Sequence, residues 1–147
     1  MKYFYPAHHV LHKPSIDLSD GLPGYKHLEV SSRVELILAG LLRAKKAEVV
    51  RVDTLANEEV LSIHDKDYLE FLLEISKEIE GEDEYVPPIF REDLTASPLY
   101  FRGGMYCKEI GTPIGKESIK AGLNSAKTAL CATTYMLQKK KSSFVLT

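Results

Sequence analysis

The spacing of apolar side chains divides this 147-residue chain into short β-branched or aromatic runs and longer helical stripes. Residues 2–5, Lys-Tyr-Phe-Tyr, predict a short first strand. Pro6 closes it. From there to Ser31 the chain is punctuated by Pro14, Gly21, Pro23 and Gly24, which predicts loop. Ser32-Arg33-Val34-Glu35 has the Ser-x-x-Glu form of a capping box. Behind it Val34, Ile37, Leu38, Leu41 and Leu42 recur at helical spacing, so a helix is predicted to about Lys45. Glu48 to Val52 is a β-branched run bounded by Asp53 and predicts a second strand.

Asn57 is placed to cap a short turn over Glu58-Glu59-Val60-Leu61. A stronger helix opens at His64 or Asp65, with Leu69, Leu72, Leu73 and Ile79 on one side and Gly81 as its stop. Residues 81–115 hold Pro87, Pro88, Pro98 and Pro113 without sustained periodicity, which predicts a long Pro-rich loop insertion. A long helix follows from about Lys116 to Gln138. Ile119, Leu123, Ala126, Leu130, Thr133 and Leu137 share one of its faces, and its many small residues suit close packing on a sheet. Residues 142–147 read as a third strand.

The order strand, helix, strand, helix, helix, strand predicts an α/β layer: a parallel sheet of about three strands, right-handed crossovers and flanking helices. In such sheets the chemistry lies just beyond the carboxyl ends of the strands. Here the last strand is predicted to end where the sequence does.

Composition narrows the picture. At 44% hydrophobic and 27% charged residues the chain reads as one soluble globular domain segment over residues 1–147. A formal net charge of −2 and a pI near 6.2 argue against a general nucleic-acid binder. Lys45-Lys46 and Lys139-Lys140-Lys141 sit near helix ends, where cations complement the helix dipole. The two cysteines, Cys107 and Cys131, make no CxxC and no disulfide framework. No apolar run approaches ~18 residues and no signal peptide opens the chain, so no membrane partner and a cytoplasmic location are expected.

Four stretches carry a resemblance. Glu29-Val30-Ser31-Ser32-Arg33 looks like a Glu-x-x-x-Arg start to a first long helix. Ile63-His64-Asp65-Lys66-Asp67-Tyr68-Leu69-Glu70-Phe71 has a His-x-x-x-Tyr-x-x-Phe helix pattern. Gly111-Thr112-Pro113-Ile114, followed by Glu117 to Ala121, looks like a loop and helix start before a central strand. Phe144-Val145-Leu146-Thr147 is that strand. Together and in order they resemble the N-terminal portion of the histone deacetylase and acetylpolyamine amidohydrolase family, with its arginase/deacetylase-type fold. Relatives continue from this strand into Arg-Pro-Pro-Gly-His-His.

The resemblance implies a zinc-dependent deacetylase acting on acetylated amines, either a polyamine or a lysine. It also implies that this chain lacks the zinc ligands and the catalytic His pair. No cofactor is then expected in this chain, zinc belonging to the intact fold, and whether the chain is an enzyme by itself is left open, with inactivity expected. The insertion at 81–115 resembles the segment through which acetylpolyamine-type members form dimers. Expected partners are accordingly a second copy or a complementary C-terminal half. Tyr100 and Gly111 stand where acids that hold the substrate ammonium would be sought. Only Asp17 and Glu109 are acidic nearby, and these become the rim candidates. Arg33 matches an arginine that lies beneath the active site in the family, which makes it a channel or structural candidate. The rival reading is a stand-alone, non-catalytic α/β interaction or ligand-binding module.

Other residues suggest chemistry less strongly. His8 and His12 stand four apart, yet Pro6 and Pro14 bracket them and no acidic or cysteine partner is adjacent, so hydrogen-bonded loop histidines are expected. His64 and Tyr68 are expected to pack at a helix start. Cys107 has no neighbour in sequence that would lower its pKa. Glu82-Asp83-Glu84 reads as solvated loop charge, or as an acidic rim for a cationic substrate.

Overall fold

The computed structural model describes residues 1–15, 30–44, 48–88, 93–107, 111 and 113–147. Two compact units emerge, one from Met1–His12, Ser31–Ser62 and Lys120–Thr147, the other from Lys13–Val30 and Ile63–Ile119.

The first unit is built on a three-stranded parallel sheet. β1 (Lys2–Pro6) lies between β2 (Glu48–Val52) and β5 (Ser143–Val145). Tyr3 stands opposite Val49 and Phe144, and Phe4 opposite Val50 and Val145. Because successive side chains alternate, this register puts Phe4, Val50, Val52 and Val145 on one face and Tyr3, Val49 and Phe144 on the other. The first face is the core. Phe4 and Val52 are buried with Ala132, and Val50, Cys131, Tyr135 and Val145 pack around them. The Phe4 and Tyr135 rings meet at 5.8 Å. Burying a side chain such as Phe4 is worth about 1.5–3 kcal/mol.

The long helix α5 (Ser118–Lys139) supplies that cover, but not with the face its leucines mark. Its buried residues are Ala121, Asn124, Thr128 and Ala132, which recur every three or four positions. Leu130 and Leu137 point away and are exposed. Ala121 and Ala132 belong to the small residues expected to suit close packing on a sheet, while Leu130 and Leu137 on the shared apolar face turn outward. Small side chains let a helix axis approach a sheet closely, and on this helix closeness outweighs bulk.

α1 (Ser32–Arg43) forms where expected, yet none of its residues is buried, and Leu36, Ile37 and Leu42 are exposed. The capping box does not close: Ser31 is the N-cap, in αR conformation, with no side-chain cap bond. α2 (Glu58–Leu61) is likewise uncapped by the Asn57 side chain. Instead the Asn57 backbone N–H donates to Glu59 Oε2 at 3.0 Å.

The second unit corrects the expectation of a plain loop over 81–115. β3 (Glu84–Tyr85) pairs antiparallel with β4 (Ile114–Gly115), and α4 (Leu99–Tyr106) lies between them in sequence. These elements share a core with α3 (Lys66–Glu78): Phe71, Ile75, Ile79 and Tyr85 are buried, with Leu72, Leu99, Tyr106 and Ile114 against them. Two-residue strands are too short to show a period. Pro87 and Pro113, which read as loop punctuation, are fully buried. α3 also turns further than its leucines suggested, burying Phe71 and Ile75 while Leu73 stays exposed. No helix among the described residues is long and apolar enough to cross a membrane.

Candidate functional site

The strand order β2-β1-β5 means that the chain leaves β1 on one side and returns on the other. The carboxyl ends on either side of such a switch point are where open α/β sheets place ligands. In this protein they are Pro6 to His9 after β1, Asp53 and Thr54 after β2, and Leu146 and Thr147 after β5.

One side chain organises this end of the sheet. Asn124, fully buried on α5, donates from Nδ2 to Val52 O and to Thr54 O, both at 2.8 Å. Its Oδ1 accepts the His8 backbone N–H at 2.8 Å. The two carbonyls can only accept and the N–H can only donate, so the amide has one workable orientation. Beneath it Thr128 Oγ1 donates to the Asn124 carbonyl at 2.8 Å. Nearby, the Ala7 N–H donates to Val52 O at 2.9 Å and the Leu146 N–H to Phe4 O at 2.9 Å. Leu123 O accepts the Ala56 N–H at 3.0 Å. The turns beyond three strand ends are thus tied to each other and to α5 by backbone groups that would otherwise need water.

His9 sits in a 3-10 turn, His9–Leu11. Its Nδ1 lies 2.8 Å from Pro6 O. A carbonyl only accepts, so Nδ1 carries a proton and donates it to Pro6 O. Nε2 is buried and has no partner among the described residues. The imidazole at this strand end is therefore oriented by its own backbone, with Nε2 turned into the interior.

The second unit gathers aromatic rings. The Tyr106 ring meets both Tyr68 and Phe71 in tilted contacts at 5.3 Å, and Tyr85 meets Tyr100 edge-on at 5.2 Å. His64 packs on Tyr68 at 5.8 Å, in line with its expected packing role. Tyr85 Oη donates to Tyr100 O at 2.6 Å, and burial pushes its phenol up to about 12. Burial raises Tyr68 as well, and raises Tyr106, with the Asp67 carboxylate adding to it. Burial also pushes the Cys107 thiol up, which keeps it protonated and argues against a nucleophile.

Of the candidates on the page, Arg33 is exposed on α1, so within this chain it is not a buried guanidinium. Asp17 and Glu109 lie outside the described residues. Tyr100 is exposed and Gly111 buried. Glu84 accepts from Ser15 N and Oγ at 2.7 and 2.6 Å, so it is bonded rather than merely solvated. Among the described residues no three His, Cys, Asp or Glu converge as a metal site. The donors among the described residues therefore do not make a set that fits zinc.

Asn124 was missed in the sequence. Its signal was there: a poor helix former at the centre of an Ala- and Leu-rich helix needs a bonding reason to be buried.

No family model and no curated protein matches the chain. Among solved structures it is similar to the crystal structure of acetylpolyamine aminohydrolase from Burkholderia pseudomallei (iodide soak), with a TM-score of 0.76 at 21% identity. The match covers 92% of this chain and 41% of that one, so the chain spans well under half of that protein's length. The likeness, with the parallel sheet and flanking helices already described, shows a partial α/β fold of the arginase/deacetylase type.

Proposed function

We propose that the chain forms the N-terminal portion of a zinc-dependent deacetylase acting on acetylated amines, and that it is catalytically incomplete by itself. The observation that carries this reading is the fold match to an acetylpolyamine aminohydrolase over 92% of the chain. On this view the chain contributes the strand ends tied by Asn124, while the metal ligands come from a complementary C-terminal half. Asp17 and Glu109 are the residues proposed to serve a cationic substrate, and Arg33 is proposed to be covered once the fold is complete. The exposed apolar residues of α1 accord with a helix that gains cover in a larger assembly.

The test is complementation. The chain is co-expressed with the C-terminal part of the Burkholderia protein, and acetate release from acetylputrescine and acetyl-lysine peptides is measured with and without a chelator. Turnover that needs both parts and is abolished by chelation is the expected result. Turnover by the chain alone would overturn incompleteness. Failure of the two parts to co-purify would overturn the deacetylase reading in favour of a stand-alone module.

A further inference from the structure

α5 carries a second stripe that the sheet does not use. Leu123, Leu130 and Leu137 stand seven positions apart, with Ala126 and Thr133 between them, which is the spacing of a helix–helix seam. The stripe opens toward the end of the helix. Leu123 is half-buried, Leu130 is 38% exposed, and Leu137 is 69% exposed beside Met136 at 43%. The charge of the segment is equally one-sided. From Ser118 to Thr147 there are five lysines and no acidic residue, while residues 1–117 hold all 21 acidic residues and the other 14 cations. Lys127 is engaged by Glu59. Lys139, Lys140 and Lys141 are exposed at the open end of the stripe.

We infer that the outer face of α5, from Leu123 to Leu137, together with the lysines at and just beyond its end, docks an amphipathic α-helix of another polypeptide whose apolar seam is flanked by Asp and Glu. A stripe this narrow matches the ridge of a single helix, whereas a lipid surface takes up a broader apolar face. The same face of a second copy would set lysines against lysines, which disfavours a homotypic pair. Small Ala126 and polar Thr133 between the leucines leave holes for the knobs of a partner helix. The inference stands apart from the deacetylase reading, because it rests only on this helix and its charge.

The experiment uses the full chain and a labelled helical peptide about three heptads long, with Leu at alternating three- and four-residue spacing and Glu at the flanking positions. A control peptide carries Lys in place of Glu. Fluorescence anisotropy is expected to show binding of the Glu peptide that weakens with added salt. Leu130→Ser with Leu137→Ser should weaken it about tenfold or more. Lys139→Glu, Lys140→Glu and Lys141→Glu together should do the same and remove the salt dependence. All five positions are exposed, so unchanged circular dichroism and an unchanged unfolding midpoint would show an intact fold. Four results would overturn the inference: equal binding of the Lys peptide, no binding with the Glu peptide in large excess, flotation with phosphatidylserine vesicles without peptide binding, or a dimer that Leu137→Ser dissolves.

Discussion

Asn124 shows how much of this fold rests on one amide. An apolar residue there would leave the His8 N–H and the Thr54 carbonyl to be solvated or orphaned, and the Val52 carbonyl with the Ala7 N–H alone. Asn124→Ala is expected to cost about 3 kcal/mol or more, since each buried unpaired group costs about 1–3 kcal/mol. Asn124→Asp keeps the shape and the acceptor for His8, but faces two carbonyls with a carboxylate. It should be at least as damaging above the carboxyl pKa, as urea midpoints of the two variants would show. A second residue-scale test concerns acid. The Lys127 ammonium, helped by the Asn57 N–H, holds the Glu59 carboxyl down to about 2 from 4.5. The folded pKa lies below the unfolded one, so this pair supports the fold above pH 4.5. That support is lost as pH falls from 4.5 toward 2. Lys127→Met should therefore flatten the fall in stability across that window, measured as unfolding midpoint against pH, while leaving the slope near neutral pH unchanged. His8 shows the limit of reading such residues from sequence: its backbone, not its imidazole, makes the bond to Asn124, and no pattern of residue types announces that.

At the scale of elements, the sequence was legible where one period ran long enough. β1, β2, α1 and α3 all appear within a residue or two of their expected bounds, because each follows a continuous apolar run between turn residues. It showed α5 as a helix whose small residues suit a sheet, but not that Ala121, Asn124, Thr128 and Ala132 would be its buried set. It was silent on β3, α4 and β4, whose pairing joins residues 29 positions apart, Tyr85 to Ile114. α4 also contains Arg102-Gly103-Gly104, a sequence that argues against a helix by propensity. The structure explains Gly103. A Cβ there would strike the Tyr85 hydroxyl and come within 3.0 Å of both the Tyr85 and Phe71 rings. Gly103→Ala, which favours a free helix by about 1 kcal/mol, is expected to destabilise this protein by about 1–3 kcal/mol through overpacking. A thermal melt that rises on this substitution would remove the close approach from the account. The site at the strand ends was legible only as a place, through the parallel order. Its chemistry was not, because the bonds that build it run through backbone carbonyls.

For the molecule as a whole, the two outer strands differ in how they meet solvent. β2 carries charge along its edge: Glu48 pairs with Lys2 at 2.6 Å and Arg51 with Asp53 at 3.2 Å. β5 reads Ser-Phe-Val, with Phe144 48% exposed and its ring 5.9 Å from Tyr3. Charged edges resist pairing with other chains and apolar ones invite it. Light scattering at micromolar concentration is expected to show association that Phe144→Lys reduces; a monomer already present in the parent chain would count against an adhesive β5. The same sheet sets a timetable for its own making. β1 is the strand that both neighbours need, and Lys2 pairs with Glu48, 46 positions on, and with Ser143, 141 positions on. Ribosomes add about 5–20 residues per second, so β5 reaches its partner roughly 5–20 seconds after β2 does. Throughout that interval one side of β1 offers unpaired backbone beside Tyr3 and Phe4. The nascent chain, rather than the finished one, is then the form that most needs a chaperone, and slowing translation between Val52 and Ser143 would lengthen its exposure.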